Sequence, residues 1–110
     1  MVAEFTLAGQ RFMALNGGNS DFTNAVSFKI GCDDQAEVDH LWDALSEGGS
    51  VQRCGWLKDR YGVSWQIVPN ALSKYLGGSD RAGAQRAMQA MMQMVKFDIA
   101  ALKSAYEGTA

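Results

Sequence analysis

Gln66 is the side chain in this chain best suited to recognising a small molecule. Its amide donates and accepts hydrogen bonds at once. It sits in Val63-Ser64-Trp65-Gln66-Ile67-Val68, a run that alternates large apolar and polar side chains. In an extended strand, successive side chains point to opposite faces. Val63, Trp65 and Ile67 then share a buried face, and Ser64, Gln66 and Val68 share the other, where the glutamine can look into a cavity. Cys54, beside Gly55 and near Arg53, has two readings: a thiol activated by the nearby cation, or a small inert side chain at the edge of the same element. His40 is the one histidine. It lies off the apolar stripe of its helix and reads as a solvated surface group. A single histidine without a nearby nucleophile or paired acid makes no catalytic triad.

The stretch Cys54 to Pro69 reads as a β-hairpin that positions these groups. Asp59-Arg60-Tyr61-Gly62 supplies its turn, and Pro69, which has no amide hydrogen, suits its end. The apolar face needs a helix, and one follows from Asp34. Asp34 is placed to cap it, with Glu37 as the reciprocal residue of a capping box. Val38, Leu41, Trp42 and Leu45 recur at the spacing of one helical face, and Gly48-Gly49 ends the helix. Before this helix, Val2 to Leu7 and Gln10 to Leu15 form a hairpin about Ala8-Gly9. Asn16 to Asn24 is a loop whose Gly17-Gly18 pair is followed by no phosphate-loop lysine. Ala25 to Gly31 is a third strand, with Val26, Phe28 and Ile30 on one face and Ser27 and Lys29 on the other.

After Pro69 the pattern is helical. A short helix over Asn70 to Leu76 is closed by Gly77-Gly78. A longer one, capped by Ser79 or Asp80, runs to Met94, with Ala84, Ala87, Met88, Met91, Met92 and Val95 as one apolar stripe, read as core or dimer surface. Asp98 caps a last helix lined by Ile99, Leu102 and Tyr106, with Phe97 and Leu102 as a hydrophobic staple.

The size is that of one domain. The formal net charge of −2, with no block of Lys and Arg, argues against nucleic acid as the main partner. The apolar runs fall well short of the roughly 18 residues of a membrane helix. Two cysteines without a CxxC read as free thiols in a cytoplasmic protein.

Three motifs resemble one family. They are Gly9-Gln10-Arg11-Phe12-Met13-Ala14-Leu15-Asn16-Gly17-Gly18, the whole Cys54 to Pro69 hairpin, and Met88-Gln89-Ala90-Met91-Met92-Gln93-Met94 followed by Asp98-Ile99-Ala100-Ala101-Leu102. Together they are similar to PhnB-like proteins, also labelled 3-demethylubiquinone 3-methyltransferase-like, of the glyoxalase/bleomycin-resistance/dioxygenase (vicinal oxygen chelate) superfamily. The resemblance implies an α+β fold of glyoxalase-like βαβββ modules, paired into a cup with helices outside, in a homodimer. The strand, helix and strand that open the family pattern have no counterpart here. Residues 1–16 are then a remnant hairpin of the first module, 25–69 a complete second module and 70–110 C-terminal helices of a single domain. Either the chain is an N-terminally truncated form, or a second chain completes its cup, with elements exchanged between copies.

The resemblance also places three metal-ligand positions of the superfamily, on Ala14, about Ala25 and Gln66. Alanine has no donor and a neutral amide is a weak ligand. No metal and no other cofactor are therefore expected. The expected ligand-binding set is Gln66, Ser64, Ser27 and Asn16 lining the cavity, with Trp56 at its rim and Cys54 at its edge. The leading expectation is a metal-independent small-molecule-binding protein. The alternative is an enzyme of the superfamily acting on a quinone-like or other small substrate. The methyltransferase label enters only as fold analogy, because fold does not fix function.

Overall fold

Period-two alternation and one amphipathic stripe build the body of the molecule. A computed structural model of the protein describes residues 1–18 and 20–109; Asn19, inside the expected loop, and Ala110 lie outside the described residues. Strands β1 (Val2–Leu7) and β2 (Gln10–Leu15) form an antiparallel hairpin and a sheet of their own. Ala8 and Gly9 both take positive φ, the two-residue turn whose twist matches a hairpin. Phe5 lies opposite Phe12, with the rings stacked 5.6 Å apart.

The second sheet follows the order β3 (Ser27–Cys32), β6 (Ser64–Pro69), β5 (Trp56–Lys58), β4 (Ser50–Val51). The β3–β6 pair is parallel and the others are antiparallel. Helix α1 (Gln35–Ser46) crosses from β3 to β4, so residues 27–69 form one βαβββ module. The third strand starts at Ser27 and not at Ala25, because Asn24 and Ala25 turn to bring the Asn24 side chain to Ser64. The two-residue β4 was not expected, since so short a segment carries no readable alternation.

Asp34 caps α1 by accepting from the Glu37 amide at 2.9 Å. Val38 and Trp42 are buried with Cys32, Leu57 and Ile67, and Ile30, Leu41, Leu45 and Trp65 pack around them. The Trp65 face of β6 therefore lies on α1, as the alternation predicts. Each of these large side chains contributes roughly 1.5–3 kcal/mol by leaving water.

Helices α2 (Ala71–Leu76), α3 (Arg81–Gln93) and α4 (Ile99–Glu107) enclose a second core of Tyr75, Ala87, Phe97 and Leu102. Asp80 and Asp98 cap α3 and α4 by accepting from the Gly83 and Ala101 amides. The methionine stripe divides. Ala87 and Met91 face this core, whereas Met88, Met92 and Val95 are 44%, 54% and 41% exposed. The stripe spans more of the helix circumference than one packing partner covers.

Cys54 and Gly55 join the two cores. Both have positive φ, and their amides donate to the Met94 and Val95 carbonyls, each at 2.8 Å. A Cβ on Gly55 would lie 2.5 Å from the Phe97 ring and 2.8 Å from the Ile67 carbonyl oxygen. Gly55→Ala should therefore cost about 2–4 kcal/mol, from the backbone conformation and the overlap together. Urea unfolding of the two proteins measures it.

Candidate functional site

Parallel register places Ser27 beside Ser64 and Lys29 beside Gln66. Antiparallel register places Trp56 beside Gln66 and Lys58 beside Ser64. Residues opposed in register share a face, so these six groups lie together on the side of the sheet away from α1. Gln66 is partly buried and donates through Nε2 to Ser27 Oγ at 2.9 Å. That bond fixes the amide and leaves its carbonyl oxygen and second N–H for another partner. Ser64 is only 2% exposed, and its hydroxyl donates to Asn24 Oδ1 at 2.9 Å. It anchors the preceding loop more than it faces open space.

The structure brings Gln66, Ser27, Ser64 and Trp56 together, but not the whole expected set. Asn16 follows β2 directly and borders a cleft with Met1, Ala3, Ala14 and Leu15, at the open end of the hairpin. Its place at a strand end gives no lead on which sheet it serves. Cys54 packs into the second core, with Sγ 3.6 Å from the Met91 carbonyl oxygen. Its thiol lies at the joint with the helical layer, turned toward Met91. Cys32, the other free thiol, is fully buried, and burial with the nearby Glu37 raises its pKa. His40 is exposed.

Two side chains that the expected set lacked stand on this face. Lys29 and Lys58 have the same parity as Ser27 and Trp56, a signal present in the alternation. The Val68 end of the face is closed by α2. There Lys29, Val68, Leu72, Ser73 and Leu76 line a cleft of about 230 Å³.

Asp59 sets the turn that orients β5 and β6. Its Oδ1 accepts from the Tyr61 and Val63 amides at 2.9 and 3.0 Å, and its Oδ2 accepts from the Trp65 indole at 2.9 Å. Burial pushes this carboxyl up, but the indole and the turn amides outweigh it, so its pKa falls below the ordinary value.

The residues present do not fit the superfamily's metal. Ala14 lies in the separate hairpin sheet, Ala25 lies in a turn, and Gln66 is bonded to Ser27. Among the described residues no three His, Cys, Asp or Glu side chains group closely enough to hold a metal ion. No described helix is long and apolar enough to cross a membrane.

Comparison with known proteins gives one family. The model of the 3-demethylubiquinone-9 3-methyltransferase family matches residues 1–68. A Bacillus cereus PhnB protein, described provisionally as a 3-demethylubiquinone-9 3-methyltransferase, is 34% identical and superposes with a TM-score of 0.52. That match covers 62% of this chain and 63% of the other. Protein PA1353 of Pseudomonas aeruginosa is 28% identical, with a TM-score of 0.50, over 63% of this chain and 62% of its own. The match thus spans under two thirds of the length of either relative. No curated protein matches the chain.

The Asp59 carboxylate should show in the pH dependence of stability. A depressed carboxyl stabilises the fold fully above its unfolded value, near 3.8, and that contribution is lost as pH falls through the lower folded value. Asp59→Asn should cost about 1–2 kcal/mol at neutral pH, as expected for bonds to a partly exposed carboxylate. It should also flatten the acid limb of the stability curve below about pH 4. Urea unfolding across pH measures both effects.

Proposed function

The chain belongs to the 3-demethylubiquinone-9 3-methyltransferase (PhnB-like) family, and from that premise we propose that it is a metal-independent small-molecule-binding protein. The observation that carries this reading is the Gln66–Ser27 pair at 2.9 Å. It holds a partly buried amide still, with donor and acceptor capacity left over, on a sheet face that α1 does not cover. Fixing the amide before a ligand arrives lowers the entropy cost of binding. The Trp56 indole beside it offers a flat apolar surface. The two unpaired cysteines support a cytoplasmic setting.

The binding unit in this reading is a homodimer with exchanged elements. The hairpin supports it. Leu7, Met13 and Leu15 are 59%, 65% and 72% exposed, and every residue of β1 and β2 is exposed. The radius of gyration is 17.0 Å, against about 13 Å for a compact chain of this size. A second copy that received the hairpin would cover its apolar side chains and strand edges. Light scattering on an eluting size-exclusion peak should give twice the chain mass. A folded monomer at micromolar concentration would remove the dimer from this account.

Binding is tested by thermal shift over aromatic, quinone-like and sugar-like compounds. A ligand at 100 times its Kd stabilises by about 2.7 kcal/mol. Gln66→Ala should remove the shift that such a ligand gives while leaving the ligand-free melting temperature nearly unchanged. The absence of any shift across the panel would count against a binding role.

A further inference from the structure

The Gln66 face carries positive charge that its internal bonds do not use. Lys29, Gln66 and Trp56 form one row across β3, β6 and β5, and Ser27, Ser64 and Lys58 form the next. Strand spacing and rise put the two lysine Cα atoms roughly 12 Å apart, one on each side of Gln66. A four-carbon stem is long enough to bring either ammonium group over the glutamine from its own side. The ion pairs among the described residues are Arg11–Glu4, Arg86–Asp80 and Lys96–Asp39, so neither lysine has a carboxylate partner there. Asp59, next to Lys58, is committed to the Trp65 indole on the opposite face. Asp21 borders a cleft with Phe22, Val63 and Ser64, at the start of β6 and away from the Gln66 row.

Two cations that flank one partly buried amide, neither with an ion-pair partner among the described residues, attract an anion and orient it. The groups between them are a neutral amide, a hydroxyl and an indole. A carboxylate accepts from both ammonium groups, a ring lies against the indole, and a ring substituent meets the free valences of the Gln66 amide. Resting on the binding role proposed above, we infer that the ligand class of this face is a small aromatic carboxylate, held by Lys29 and Lys58 and stacked on Trp56.

The test uses the full chain labelled with ¹⁵N and two probes of one shape, 2-naphthoate and neutral 2-naphthamide, titrated at low ionic strength. Naphthoate should bind about tenfold or more tightly than the amide, the worth of one charge-assisted hydrogen bond. Its shifts should centre on Ser27, Gln66 and the Trp56 indole, and its affinity should fall as salt is added. Lys29→Met and Lys58→Met should each reduce the preference several-fold, and Lys58→Arg should keep it. The spectrum of each variant shows whether its fold is intact. Equal affinity for the two probes on this face would overturn the anion assignment while leaving the binding role standing. A preference that survives in the double methionine variant would overturn it as well. Shifts absent from this face for both probes would overturn the assignment, while the binding role stands or falls with the thermal-shift panel.

Discussion

Two consecutive left-handed residues hold the body of this protein together. Cys54 and Gly55 stand at φ 59° and 79°, and three backbone hydrogen bonds meet on them. Their amides bind the Met94 and Val95 carbonyls of the α3–α4 connection, and the Gly55 carbonyl accepts from the Ile67 amide at 2.8 Å. One dipeptide thus belongs to the sheet and to the helical layer at once. Phe97, 2% exposed, covers it closely enough that no side chain fits on residue 55. Gln35 makes a second tie. Its Nε2 donates to the Phe97 carbonyl at 2.9 Å, and its Oε1 accepts from the Ile99 amide at 2.8 Å. The start of α1 is thereby fixed to the start of α4.

The candidate site inherits its shape from this joint. Because the helices dock at the Val68 end of the sheet, α2 forms a wall there while the rows of Gln66 and Ser64 stay uncovered by it. Because α1 takes the other face, Trp65 and Ile67 are drawn inward and the polar parity is turned outward. Asp59 keeps the two arms in register by holding the turn amides and the Trp65 indole on one carboxylate. Packing on one face and hydrogen bonding at one turn decide where six side chains stand.

Much of this was readable from residue spacing. The parity of Val63 to Val68 gave the two faces of β6, Asp34 and Asp98 announced the helix starts that they cap, and of Ser79 and Asp80 it is Asp80 that caps the third. The grouping of Gln66, Ser27, Ser64 and Trp56 follows from alternation once the strands are paired. What escaped the sequence is what depends on distant partners. The Gln35 tie spans more than sixty positions and leaves no local pattern. Cys54 looked like a site residue because it neighbours Arg53, yet its backbone, bonded to the α3–α4 connection, turns the thiol toward Met91. Asn16 followed its own hairpin sheet. The methionines divided because a helix stripe records which side chains are apolar and not which of them find a neighbour.

Amide hydrogen exchange across the chain tests the joint most directly. If Cys54–Gly55 holds the two layers as one cooperative unit, the Gly55 and Ile67 amides should exchange only through global unfolding, at rates matching the urea-derived stability. The amides at the core of α4 should open at that same free energy. Exchange of Gly55 and α4 at a much lower free energy than β6 would show that the helical layer detaches on its own, and the account of the joint would fail.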